Sequence, residues 1–186
     1  MLIHLETPRL LLRRFTEADA ADLFALDSDA EVIRYIGPRQ VADVQASRRL
    51  ISERFVPYYA KNPGYGFWAA QARPSGDFLG WFHLRPALDY RYAREAGYQA
   101  GEVDLGYRLR RAAWGQGYAT EGSLALVAKA FTEERPAAVV SCALLANVAS
   151  TRVMEKVGLK RLGLFSLPGY EMPSVKYALL RTEWNS

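Results

Sequence analysis

Several things are scarce in this chain. Cysteine occurs once, at Cys142, so no internal disulfide can form. Histidine occurs only at His4 and His83, and no cluster of His, Cys, Asp and Glu has metal-ligand spacing, so no metal is expected. No apolar run approaches the roughly 18–20 residues that a bilayer span requires. The opening MLIHLETPRL lacks a basic stretch followed by a long apolar one, so no secretory leader is read there. Together these features make a cytoplasmic protein with no membrane partner the expectation. Lysine is also rare: arginine supplies 19 of the 24 basic residues. They are scattered rather than blocked, which argues against a nucleic-acid groove. Repeats, low-complexity tracts and linkers are missing too, so residues 1–186 read as a single domain.

Half of the residues are hydrophobic and the net charge is +4. Arginine's planar fork suits phosphate oxygens, although coding composition also enriches it. The apolar pattern predicts a strand over 9–15 and a helix over 18–25 capped by Thr16. Asp43 opens a second helical stretch, with Ser47, Leu50, Ile51 and Phe55 on one face and Pro57 as its end. Strands at 66–71, 78–84 and 103–109 form an antiparallel meander. A helix over 116–134, a buried strand over 137–145 and a helix over 147–157 follow, the last closed by Gly158 in a left-handed cap. Strands near 160–165 and 174–181 complete the order. The strand–helix–strand at 103–145 makes one parallel crossover in an otherwise antiparallel sheet.

The stretch WGQGYATE, residues 114–121, sits at the mouth of the 116–134 helix. Gly115 and Gly117 allow tight turning and close approach of another group. The helix behind them offers unpaired N–H groups and a partial positive charge, which suits a phosphate or pyrophosphate. The same glycines are also what a plain strand-to-helix turn would use. No G-K-[ST] follows, and Thr120 breaks a G-x-G-x-x-G pattern, which argues against kinase and dehydrogenase readings.

Four stretches, in order, carry a family resemblance: TPRLLLR at 7–13, DLGYRL at 104–109, WGQGYATE at 114–121 and NVASTRVMEKVGL at 147–159. The chain resembles the GNAT superfamily of N-acetyltransferases, within it the RimJ/RimL-type branch. The resemblance implies an α/β fold with a central sheet, mostly antiparallel, partly parallel and splayed, flanked by helices. It implies acetyl-CoA as co-substrate and a primary amine acceptor, either a protein N-terminus or a small molecule. The pyrophosphate loop falls on Trp114, Gly115, Gln116, Gly117, Tyr118 and Ala119. Tyr107, Arg108 and Leu109 would pair with the pantetheine arm, a bulge there splaying the strand from its neighbour. A backbone N–H near Leu109 would face the developing oxyanion. Asn147 would contact the pantetheine arm, besides capping its helix. Arg152 or Lys156 would reach the ribose 3′-phosphate. Ser150 is the candidate donor to the departing thiolate, because Met154 stands where many relatives have a tyrosine.

The attacking amine must lose a proton, so a carboxylate or a water relay is expected. Asp104 occupies the family's frequent base position, and Glu102 shares its strand face. Both also suit a solvated strand end or an arginine pair. His83 is a lone strand histidine, a type more often structural than catalytic, and Cys142 reads as core packing. Tyr35, Tyr170 and Glu171 are the acceptor-pocket candidates. The insertion at 88–98, with its Tyr and Arg, suits an interface as well as a ligand and leaves a homodimer open. The alternative function is a non-catalytic acyl-CoA sensor or interaction module on the same fold, which would keep the glycine loop but need none of the proton-transfer groups.

Overall fold

The computed structural model describes residues 2–36 and 42–184. Eight strands build one sheet: β1 (Ile3–Glu6), β2 (Leu10–Arg14), β3 (Gly66–Ala72), β4 (Phe78–Pro86), β5 (Glu102–Leu109), β6 (Ala138–Leu144), β7 (Lys160–Phe165) and β8 (Ser174–Leu180). Their spatial order is β1-β2-β3-β4-β5-β6-β8-β7. Every neighbouring pair is antiparallel except β5 and β6, the expected crossover. The helices are α1 (Ala20–Asp27), α2 (Ala30–Ile33), α3 (Val44–Leu50), α4 (Val56–Lys61), α5 (Tyr118–Lys129) and α6 (Val148–Lys156). None of the described helices is long and apolar enough to cross a membrane.

Alternation along the strands splits the core between two sheet faces. Leu10, Leu12, Trp68, Phe82, Leu105 and Leu109 bury one face together with Leu126 and Val127 of α5 and Met154 of α6. Phe67, Ala69, Phe78 and Trp81 bury the other with Leu23 and Leu26 of α1 and with Ile51 and Phe55. A smaller cluster of Ala87, Ala96, Tyr98, Val140 and Ala178 lies under the insertion.

The sequence expectations fail in instructive places. Pro57 does not end its helix, which runs on as α4 to Lys61. Residues Ile51–Phe55 form a wider π-turn, with the Val56 N–H donating to the Ile51 carbonyl. That shift of register accommodates a residue with no N–H to give. β1 escapes the hydrophobic pattern because it is a four-residue edge strand with exposed ends. Gly158 does take the left-handed conformation, at φ 94°. Leu159 N–H donates to Met154 C=O and Gly158 N–H to Glu155 C=O, the paired bonds of a Schellman cap.

Candidate active site

The site begins where two strands part. β5 and β6 pair only at Glu102–Ala138, Val103–Val139 and Asp104–Val140, and both strands continue beyond that point unpaired with each other. Ser141 stands at the fork, its Oγ donating to the Leu105 carbonyl at 2.8 Å. The side chain thus satisfies the first β5 carbonyl that loses its ladder partner. β5 itself has no bulge: its ladder with β4 runs without a break from Gly80–Leu109 to Pro86–Val103. The splay therefore comes from divergence of β6, which stays paired with β8 from Ala138 to Leu144. The nearest irregularity lies in β4, between Phe78 and Gly80.

On the far side of β5 the Arg110 N–H donates to Leu79 C=O. Peptide groups alternate in direction along an antiparallel strand. Those of Gly106 and Arg108 therefore point to β4, and those of Tyr107 and Leu109 point into the gap. The Leu109 carbonyl accepts the Trp114 indole N–H at 2.8 Å, leaving the Leu109 N–H and both Tyr107 groups facing the opening.

A cleft of about 450 Å³ runs from this gap to the start of α5. Tyr107, Arg108, Leu109, Trp114, Gly115, Gly117, Tyr118, Ala119, Asn147, Ser150, Arg152, Lys156 and Tyr35, all singled out from the sequence, line it. Gly115 and Gly117 both have positive φ, 72° and 83°, which lets the loop double back before α5 starts. Arg9 braces the loop from across the sheet: its Nη1 donates to Gln116 C=O at 2.9 Å, and its Nε pairs with Glu121 at 2.6 Å. Thr7 Oγ also donates to Glu121, at 2.5 Å. The TPRL stretch and the glutamate of WGQGYATE are thus two halves of one clamp.

Asn147 Oδ1 accepts the Ser150 N–H at 3.2 Å and caps α6, leaving its amide NH₂ on the cleft side. The Tyr107 hydroxyl lies 3.0 Å from Ser150 C=O and 3.1 Å from Ser150 Oγ. Burial raises the Tyr107 pKa to about 12, so the phenol keeps its proton. Arg152 and Lys156, one turn apart on α6, set positive charge over the opening.

Other sequence candidates lie elsewhere. Gln116 is not part of the lining: its side chain donates to Ala112 C=O. Tyr170 stands behind the wall, donating to Ile36 C=O at 2.8 Å and meeting Tyr92 of the insertion edge to face. Glu171 is exposed. Glu102 sits at the opposite end of β5, accepting from Gln99 N–H and pairing with Lys176 at 3.5 Å.

Asp104 is buried on the sheet face away from α5 and α6, and its carboxylate is engaged. It accepts from His83 Nε2 at 3.0 Å and from Arg85 Nε and Nη2 at 3.0 and 2.8 Å, with the Tyr98 hydroxyl at 3.4 Å. Burial alone would raise its pKa, but the His83 hydrogen bond and the Arg85 charge outweigh it and hold the acid below the ordinary carboxylate range. Asp104 thus forms the arginine pair that the sequence also allowed, and Glu102 lies at the far end of β5; neither carboxylate lines the cleft. Cys142 packs beneath the insertion, where burial raises its thiol to about 11.

Glu31 and Val32, missed in the sequence, also line the cleft, as do Ile36, next to Tyr35, and Thr120 of WGQGYATE. α2, which carries the first two, is a single turn with no periodicity to detect. The clamp was equally hidden, since the helix dipole alone accounts for an acidic residue in the first turn of α5.

A family model described as an acetyltransferase (GNAT) domain matches residues 9–160. Over 128 residues the chain is 34% identical to the FsC-acetyl coenzyme A-N(2)-transacetylase of Aspergillus fumigatus, covering 66% of this chain and 53% of that one. The match thus spans about half the length of that relative. The solved structure of a GNAT-family acetyltransferase from Bacillus anthracis superposes with a TM-score of 0.77 at 24% identity, covering 98% of this chain and all of the other. RimL, a ribosomal-protein alpha-N-acetyltransferase solved in complex with coenzyme A, superposes with a TM-score of 0.76 at 17% identity, covering 96% of this chain and 97% of the other. The shared fold is a mixed, mostly antiparallel sheet with helices on both faces. The chain belongs to the GNAT family of acetyltransferases.

Proposed function

We propose that this protein transfers the acetyl group of acetyl-CoA to a primary amine by direct attack on the thioester. The observation that carries the reading is the unpaired edge of β5. Tyr107 and Leu109 present peptide groups to a gap that opens straight onto the N-terminus of α5. An extended amide-bearing chain ending in a pyrophosphate fits both parts at once. The pantetheine amides would continue the β5 ladder, and the N–H groups of the Gly115–Ala119 loop would hold the pyrophosphate. Arg152 and Lys156 supply charge for the 3′-phosphate. The co-substrate provides an acyl carbon activated by its thioester, and the Leu109 N–H is placed to stabilise negative charge growing on that carbonyl. Ser150, backed by the Tyr107 phenol, is the proton donor for the leaving sulfur. Tyr35, Ile36 and Glu31 form the acceptor-side wall, with Tyr170 supporting Ile36.

The acceptor is a primary amine of a small molecule or of a protein N-terminus. RimL acts on a ribosomal-protein N-terminus, and the A. fumigatus relative is an N(2)-transacetylase. The non-catalytic sensor reading is weaker, because binding alone does not call for a hydroxyl pair at the thioester end of the cleft.

The test is thermal unfolding with acetyl-CoA, CoA, ATP and NADH in parallel. Ligand at 100 times its Kd adds about 2.7 kcal/mol. At about 2–4 °C per kcal/mol for a domain of this size, Tm rises by roughly 5–11 °C. A rise with acetyl-CoA and CoA alone supports the reading. No rise with either, in folded protein free of bound ligand, refutes it.

A further inference from the structure

One buried group is left over from the site described so far. The His83 ring lies over Gly106, its register partner: a Cβ on Gly106 would fall 2.3 Å from Cε1 and 3.0 Å from Nδ1. Only glycine leaves room for the ring there. Gly106 adjoins Tyr107, whose peptide groups face the splay, so the imidazole covers β5 beside the proposed thioester slot, on the face opposite α5 and α6. Asp104 fixes the ring's tautomer. An ionised carboxylate only accepts, so Nε2 must carry the hydrogen in the 3.0 Å bond to Asp104. Nδ1 is then a bare lone pair. It is fully buried and has no partner among the described residues. Buried polar atoms are nearly always satisfied, and the exceptions call for an explanation. Arg108, from the next position on this face of β5, lines the cleft, and the His83 ring stands one position behind it, outside the lining.

We propose that His83 Nδ1 is the proton acceptor for the attacking amine, through one bridging water, and that Asp104 is its positioning residue. The inference rests on the acetyltransferase reading above. As the acceptor nitrogen bonds to the acyl carbon, its remaining protons become more acidic. One passes to Nδ1, the C–S bond breaks, and the sulfur takes a proton from Ser150, whose oxygen is reprotonated from solvent. His83 leaves the step as an imidazolium paired with ionised Asp104 and returns the proton to solvent. The orientation is that of a carboxylate–imidazole dyad with the roles of the ring nitrogens exchanged. Burial and the Arg85 charge lower the His83 pKa, with Asp104 opposing them, so the ring is neutral before reaction. The charged and titratable groups around it are Arg85 from its own strand, Asp104 and Arg108 from β5, Tyr98 from the insertion against Asp104, and Asp27 of α1 paired with Arg108. Phe67 of β3 and Trp81 pack on it without charge.

Three measurements test this. Long-range ¹H–¹⁵N correlation spectra of the wild-type protein contain two histidines, and His4→Gln assigns them. The expected result at pH 7 is a neutral His83 with the proton on Nε2. Asp104→Asn should move the proton to Nδ1, because an amide NH₂ then donates to Nε2. A charged ring, or a wild-type proton on Nδ1, overturns the proposal whatever the turnover. Second, thiol release is followed with glycinamide, cadaverine and a tripeptide amide as acceptors. His83→Gln keeps a donor for Asp104 but no proton acceptor, and should lower kcat roughly 100-fold or more and flatten the acid limb of the pH profile. Wild-type kcat with an unchanged profile overturns the proposal. Third, the acetyl-CoA thermal shift of His83→Gln should match the wild type. Loss of that shift in the wild type itself would strike the acetyltransferase reading, and the tautomer result would still judge His83.

Discussion

Gly122→Ala sets two known effects against each other. Gly122 lies in the second turn of α5, where alanine gains about 0.8–1 kcal/mol of helix propensity over glycine. On an open helix face the substitution would stabilise. Here the added Cβ would sit 2.5 Å from Phe82 Cζ and 2.8 and 3.0 Å from its two Cε atoms. Carbon pairs pack best at about 3.5–4.0 Å, so helix and ring must separate by about 1 Å. The ring has nowhere to go: Phe82 is 0% exposed, in the middle of the sheet. Overpacking of this kind costs about 1–3 kcal/mol. The net expectation is a loss of up to about 2 kcal/mol, or as much as roughly 8 °C in Tm, read by urea and thermal denaturation. Phe82→Leu alone should also destabilise, through a cavity. The double variant should be better than the sum of the two by about 0.5–2 kcal/mol, since leucine removes the ring end that the new methyl strikes. An increase in Tm for Gly122→Ala, or strict additivity in the cycle, would refute the account of how α5 seats on the sheet.

Two further outcomes follow from the same geometry. His4 stacks on Trp68 with ring centroids 3.9 Å apart, and burial followed by the Lys129 charge lowers its pKa to about 4. Between that value and the unfolded one near 6.5 the unfolded chain holds more protons, so stability falls as pH drops through this window. After discounting for partial exposure the loss attributable to His4 is about 1–2 kcal/mol; His4→Gln should flatten the acid side of a Tm-against-pH curve, and an unchanged slope would count against the stacking. Ser141→Ala leaves the Leu105 carbonyl unpartnered at the fork, which should cost about 1–3 kcal/mol in chemical denaturation; a neutral result would mean that β6 closes onto β5 when the hydroxyl is gone.

The sequence was most legible where one local rule decides. The helix read over 116–134 contains α5, and Gly158 marked the end of α6. The order of elements followed, and with it the crossover that creates the splay. Positions set by pairing were hidden. Alternation correctly put Glu102 and Asp104 on one face of β5, but nothing local says which face meets the cleft. That depends on which side of the sheet α5 returns to. The Asp104–His83 contact arises from the β4–β5 register, in which His83 meets Gly106. A lone histidine gives no hint of a carboxylate 21 residues away. The π-turn before Pro57 defeated a rule that holds for unbroken α-helices, and the splay needed a diverging neighbour where a bulge was expected.

The clamp between Thr7, Arg9 and Glu121 joins residues up to 114 positions apart. Contacts of such separation form only after the intervening chain has been organised, because closing a long loop costs entropy before any bond repays it. The glycine loop is therefore finished late in folding, when β2 has joined β3 and α5 has docked across them. Until then the α5 N-terminus exists without the brace that shapes its approach. Loss of the first strands, by truncation or fraying, would take Leu10 and Leu12 out of the core and the brace off the glycine loop together. Competence to bind thus reports on the completeness of the whole sheet.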